Sequence, residues 1–380
     1  MSLNLDFADV LIVPKSSTID SRSKVDLIVN YKFHKHDSIS DNVDHKHVNN
    51  LVKEASESTD TQEASKKPFD YSTLDTVPNE NTVLRNWQGI PIIAANMDST
   101  GTFETYKVLS KHKMLTAFSK HYTKEDFLKL KEEGVELDKD YFMLSTGIGE
   151  NDVKKLEELM EVVDTKWICV DIANGYLEKL RTVCKYLSTK YKDKILVAGN
   201  VATPEIIEPL KDSGVDVIKV GIGGGSACTT RIKTGIGVPQ FTAVSLCVAE
   251  ARKLGVKIIS DGGITCPGDV SKAFVGGANF VMIGGEFAGH DQTAGEIVEK
   301  DGKKFKEFYG MSSRKAIVKH TGVMDEYRSS EGRELLIPYK GDLNDTVLDY
   351  LGGIRSTCTY IDAAKLENMF QGGRFMHVSN

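Results

Sequence analysis

The stretch Gly223-Gly224-Gly225-Ser226-Ala227-Cys228-Thr229-Thr230-Arg231 places a thiol beside a run of permissive backbone. Glycine allows positive φ, so successive backbone N–H groups can turn inward and form a concave donor surface for a phosphate, with the Ser226 hydroxyl added. Cys228 would then lie within reach of whatever that phosphate carries. A thiol in positive potential, here from Arg231 and Lys233, loses its proton more readily and becomes a better nucleophile. The other reading of the loop is plainer, because an intracellular cysteine usually packs as a small apolar residue and glycine-rich loops are common. The loop alone leaves both open.

The elements that must position this loop follow from the hydrophobic pattern. Short apolar, β-branched runs recur at Ile90–Asn96, Met114–Phe118, Phe142–Gly147, Trp167–Ala173, Ile195–Val201, Val217–Ile222, Lys257–Gly263 and Phe280–Gly285. Amphipathic stretches such as Val153–Val163, Leu177–Tyr191 and Ala243–Leu254 separate them, with Val153, Leu156, Leu159, Met160 and Val163 on one helical face. Eight such alternations predict an α/β fold in which a parallel sheet closes as a TIM (β/α)8 barrel. A doubly wound sheet is the alternative, disfavoured because no GxGxxG follows the first strand and Ser226 breaks the glycine spacing at 221–225.

Barrel chemistry collects where strands end. Those ends carry Asn96, Asp98, Lys120, Thr146, Gly147, Asp171, Asn174, Asn200, Gly221, Gly223, Asp261, Gly263, Gly284 and Gly285. Ordinary turn and cap chemistry would account for many of them. The longest gap between successive strand starts, from 217 to 257, contains the Cys228 loop. The glycine pairs after strands seven and eight lie where barrels commonly hold phosphate.

Composition bounds the rest. The chain has 380 residues, 40% hydrophobic and 27% charged, with a net charge of −6, which suits a globular enzyme better than a binder of nucleic acid polymer or anionic membrane. Six cysteines without CxxC spacing, and an N-terminus lacking a basic stretch followed by an apolar one, make a reducing cytosolic setting the expectation. A single barrel domain over 1–380 is expected, with a polar, flexible insertion at 35–85. Its flanking and internal histidines, His34, His36, His45 and His47, lack metal-site spacing and are assigned no chemistry. The segment from Glu286 onward exceeds one closing helix and must fold over the barrel.

Leu5-Asp6-Phe7-Ala8-Asp9-Val10-Leu11, Ile90 through Asp98, Ile259-Ser-Asp-Gly-Gly263 and the Cys228 loop together resemble the inosine monophosphate dehydrogenase and guanosine monophosphate reductase superfamily. Phe308 through Ser313, Glu326 through Gly332 and Leu351 through Tyr360 are similar to its reductase branch. Neither the regulatory domain after the second strand nor the Arg-Tyr flap of the dehydrogenases is found.

The resemblance implies reductive deamination of GMP to IMP by NADPH with release of ammonia, by a covalent thioimidate on Cys228, with Thr230 and Glu331 handling the proton. It implies nucleotide binding by Ser226, Asp261, Gly263, Gly284, Gly285, Met311, Ser312, Arg328 and Gly332. The dinucleotide would meet Lys120, Asp171, Ala173, Met311, Tyr327 and Arg328, with Ser21, Arg22, Ser356 and Thr359 from a neighbouring subunit of a homotetramer. A potassium ion would sit on carbonyls of Gly223, Gly225 and Cys228 beside Arg231. An IMP dehydrogenase and a catalytically silent purine-nucleotide-binding regulator are the alternatives. Three departures from the family pattern stand out: Gly224 and Ala227 in the cysteine loop, and Ser119 where a histidine commonly precedes Lys120-His121-Tyr122.

Overall fold

Eight strands that are almost wholly buried leave no polar face for water, and such strands are stable only when covered on both sides. The computed structural model describes residues 4–35, 83–324 and 329–378. In it these strands close into a parallel barrel: β1 (Ile92–Ala94), β2 (Leu115–Ala117), β3 (Phe142–Thr146), β4 (Trp167–Asp171), β5 (Ile195–Val201), β6 (Val217–Val220), β7 (Lys257–Asp261) and β8 (Phe280–Ile283). Pairing of Val281 with Ile92 joins β8 to β1 and removes the last open edge. All eight expected strands are present, each within the stretch expected for it.

The outer wall is formed by α1 (Phe103–Leu109), α2 (Lys124–Glu132), α3 (Glu150–Met160), α4 (Glu178–Lys190), α5 (Ile207–Asp212), α6 (Gln240–Leu254), α7 (Pro267–Val275) and α8 (Leu343–Tyr360). Local chemistry sets several ends. Thr123 and Asp126 exchange side-chain-to-backbone bonds in a capping box at α2, Pro267 opens α7, and Gly255 ends α6 in the left-handed region. Ala243, Val244, Cys247, Val248 and Ala251 make the buried stripe of α6.

The N-terminal end of the barrel is sealed by an antiparallel hairpin, Val29–Lys35 with Val83–Gly89. Its Tyr31, Phe33 and Trp87 pack edge-on or tilted against Trp167 and Phe280 at the starts of β4 and β8. Arg85 reaches beneath the barrel, with bonds of 2.6 and 2.8 Å to Asp216 and 2.7 Å to the Lys194 carbonyl. The expected insertion at 35–85 therefore starts and finishes inside this hairpin, and residues 36–82 lie outside the described residues. The Arg85 side chain is only 4% exposed, so Arg85→Ala would strip the buried Asp216 carboxylate of its guanidinium and leave it the Leu196 amide. Loss of about 3–5 kcal/mol is expected in a denaturant titration, and an unchanged midpoint would remove the pair from the account of stability.

At the opposite end, residues after β8 form a three-stranded antiparallel rim sheet, Ile297–Lys300, Lys303–Tyr309 and Glu334–Pro338, with a helix, Arg314–Thr321, inserted between its last two strands. Phe308 from this sheet packs with Ala227 and Ala288 in a small apolar cluster over the cysteine loop. The tail thus folds over the barrel as expected, before α8 closes the wall. The chain ends meet in a short ladder, Val10–Ile12 with Phe375–His377.

Candidate active site

Three glycine-bearing turns converge at the C-terminal mouth, following β6, β7 and β8, around a cleft of about 500 Å³. Close approach is what demands glycine there. A Cβ on Gly221, at φ +154°, would collide with the Asp261 carbonyl, and one on Gly285 would lie 2.6 Å from the Ser226 hydroxyl. Ser226, Asp261, Gly263, Gly284, Gly285, Met311 and Ser312 all line this cleft, as do Lys120, Asp171, Ala173, Gly223, Gly225, Cys228, Thr230 and Glu331. Gly332 pairs with Cys228 backbone to backbone at its edge.

The cysteine loop connects directly to the rim sheet. Cys228 Sγ donates to Thr230 Oγ1 at 3.3 Å, and Thr230 Oγ1 donates to Glu331 Oε2 at 2.8 Å. The Thr229 amide donates to the Glu331 carbonyl and the Arg333 amide to the Ala227 carbonyl, so the carboxylate is held by its own backbone. Thiol, hydroxyl and carboxylate form one continuous hydrogen-bonded line inside the cleft. The other thiols are poor competitors: Cys169, Cys184, Cys247 and Cys358 are buried, burial pushes Cys169, Cys247 and Cys358 up to about 12, and exposed Cys266 lies outside the cleft.

The positive potential expected from Arg231 and Lys233 is spent elsewhere. The Arg231 guanidinium bonds Asp6 at 3.1 Å and the Val238 carbonyl at 2.7 Å, and Lys233 points into solvent. Asp6 also accepts from the Gln240 amide, so the N-terminal segment braces the loop against α6. Arg231 is a strut. A guanidinium has no acceptor, so of Arg231 only the carbonyl could serve a cation.

The floor of the cleft holds a network that sequence reasoning missed. Lys219 on β6 is 1% exposed, and its ammonium lies 3.1 Å from Asp171 Oδ2 and 3.2 Å from Asp261 Oδ2. Burial alone would push this ammonium's pKa down, but the two carboxylates outweigh it and raise it. Asn96 donates to Asp171 Oδ2 at 2.5 Å, and Asn200 donates to Asp261 Oδ2 at 2.8 Å. The available signal was a single lysine inside a wholly apolar strand. Thr146 and Asn174, by contrast, serve turns, bonding the Asp152 carbonyl and the Tyr176 amide.

A second missed feature fastens the rim helix to the barrel. Asp98, after β1, accepts from Ser119 on Oδ1, and from Tyr309, Lys319 and His320 on Oδ2 at 3.0, 3.0 and 2.6 Å. The His320 ring stacks on His121, with centroids 3.3 Å apart. Asp98, His121 and His320 could converge on a metal, but the Lys319 ammonium already occupies the carboxylate, so the group reads as a latch. Burial and the neighbouring His320 push His121 down to about 4, which keeps it neutral at physiological pH. Burial alone would raise Asp98, yet Lys319 and His320 hold it below the usual carboxylate range. Its contribution is therefore present at neutral pH and lost only as pH falls through that lowered value. Asp98→Asn should speed amide exchange in 314–321 roughly tenfold or more, the loss of about 1.5–3 kcal/mol of charge-assisted bonding. Unaltered exchange would show that the latch carries no load.

Ser21, Arg22, Ser356 and Thr359 do not line the cleft, although the Arg22–Lys24 turn packs against α8. Tyr327 and Arg328 lie outside the described residues.

Fold and site together define a barrel enzyme with a cleft at the C-terminal mouth, lined by one cysteine and by the glycine turns after β6, β7 and β8. A family model described as the IMP dehydrogenase / GMP reductase domain matches residues 48–380. The chain is 44% identical to GMP reductase 1 of Mus musculus and to that of Homo sapiens, over 99% of this chain and 96% of each relative. It is 43% identical to the GMP reductase of Aliivibrio fischeri (strain MJ11), over 99% of this chain and 95% of the relative. The protein belongs to the IMP dehydrogenase / GMP reductase family.

Proposed function

We propose that the protein is a GMP reductase, which converts GMP, NADPH and two protons to IMP, NADP⁺ and ammonium. The observation that carries this reading is the line from Cys228 through Thr230 to Glu331 within a cleft of nucleotide size. The thiol proton passes by way of the Thr230 hydroxyl to the Glu331 carboxylate, and the freed sulfur attacks purine C2. The same proton returns through Thr230 to the departing amine, leaving a thioimidate on Cys228. NADPH, when bound, supplies the hydride that replaces sulfur at C2.

Ser226 and the turns at Gly263, Gly284 and Gly285 offer phosphate donors, Asp261 accepts from the ribose hydroxyls, and Met311 and Ser312 border the base. Arg328 and Gly332 complete the nucleotide set. The lining suits a dinucleotide alongside: Lys120, Asp171 and Ala173 border the same cleft beside the nucleophile, with Met311 and, from the matching motif, Tyr327 and Arg328. Ser21, Arg22, Ser356 and Thr359, absent from this cleft, would serve a neighbour's site in a homotetramer. The carbonyls of Gly223, Gly225 and Cys228 are hard, uncharged oxygen donors suited to potassium. A cytosolic location fits the free thiols. Among the described residues no helix is long and apolar enough to cross a membrane.

Incubation with GMP and NADPH should consume NADPH and release ammonia in equal amounts. NADH formation from IMP and NAD without that activity would select a dehydrogenase, and GMP binding without either turnover a regulator.

A further inference from the structure

We infer that Lys219 is a positioning residue that couples the two ligand subsites, its buried ammonium holding the cofactor-side Asp171 and the ribose-side Asp261 in one ion-paired arrangement. The inference rests on the reading above for which ligand each carboxylate meets. Its geometry is independent of that reading.

Strand ends from five parts of the barrel meet at this point: Asn96 after β1, Asp171 on β4, Asn200 on β5, Lys219 on β6 and Asp261 on β7. Within this network every bond to the two carboxylates falls on Oδ2, which leaves Oδ1 of each for a ligand. The Asp171 and Asp261 side chains are still 27% and 18% exposed, whereas the lysine between them is sealed from solvent. Lys219 borders the floor of the cleft with its ammonium committed to both carboxylates, so it acts on a ligand through the two groups that it fixes. Two carboxylates facing one buried cation also explain why a lysine is tolerated inside an apolar strand, since an unpaired buried ammonium would be costly. The titratable groups around it are Asp171 and Cys169 from β4 and Asp261 from β7, with the Cys169 thiol pushed up to about 12 by burial.

Without the ammonium, two like charges share a partly buried space, and one of them takes a proton at a higher pH than before. Burial favours placing that proton on Asp261, the less exposed of the two, where it turns one of the two oxygens that would accept from the ribose hydroxyls into a donor. Lys219→Met should thus weaken GMP binding by about tenfold or more near pH 6, and the deficit should shrink as pH rises toward about 9. Removing the second carboxylate as well should restore binding: in Lys219→Met/Asp171→Asn, Asp261 stands alone with Asn200, and the GMP dissociation constant should return to within about threefold of the Asp171→Asn single variant.

The test is titration calorimetry with GMP on the full chain across this pH range, with thermal unfolding of each variant alongside. Failure of the unaltered protein to bind GMP would defeat the functional reading. Binding by the unaltered protein together with a pH-independent loss in Lys219→Met, or no loss, would overturn the coupling. Should Lys219→Met not fold, the charge-balanced double variant decides: folding with restored GMP binding supports the inference, and misfolding or folding without binding makes Lys219 a core strut only.

Discussion

Cys228→Ala is expected to abolish turnover while GMP still binds within a few fold. The glycine turns after β7 and β8 and the Asp261 carboxylate, the groups proposed to hold the nucleotide, do not depend on the thiol, so ground-state affinity should survive. The chemical step should not. Deleting a covalent nucleophile costs on the order of 10⁶ in turnover in well-studied hydrolases, and no other cysteine lines the cleft to substitute. Intact-mass measurement of the unaltered protein trapped with GMP should reveal the nucleotide joined to the chain with loss of ammonia, and Cys228→Ala should show no adduct. Residual activity near that of the unaltered protein would end the covalent account.

Glu331→Gln separates the two halves of the reaction. A glutamine can keep the 2.8 Å contact with Thr230 but cannot receive the thiol proton or return it to an amine. Ammonia release in single turnover should slow by about 10²–10⁴, the usual range for a positioned acid or base. Hydride transfer, followed in reverse from IMP and NADP⁺, should suffer less. Equal losses in both directions would mean that Glu331 serves to hold the rim sheet on the cysteine loop and not to move a proton.

The barrel was legible because its strands are apolar on both faces and recur with helical stretches between them, a pattern few other folds produce. The cysteine loop was legible because a thiol among glycines is chemically conspicuous. Glu331 was not, since the carboxylate sits far along the chain in a turn that reads as solvated, and family resemblance alone singled it out. The Asp98 latch was hidden for a related reason: Tyr309 reaches it across the mouth from the rim strand, and Lys319 and His320 from a helix that looks ordinary. The hairpin was half visible. Val29, Tyr31 and Phe33 alternate with polar residues, but its partner strand buries Arg85 and exposes Leu84, the reverse of what side-chain polarity suggests.

That hairpin separates two tasks that a shorter chain would have to perform together. Lys35 pairs with Val83, so the polypeptide leaves the barrel and rejoins it at adjacent points, on the end away from Cys228. Loop-closure entropy grows only with the logarithm of length, so what is spliced between those two residues can lengthen or change composition while the register of the hairpin is kept. The aromatic seal and the Arg85–Asp216 pair secure the splice point from below. The N-terminal end of this barrel is thus a place where sequence can drift or new recognition can be added without the chemistry at the other end being consulted.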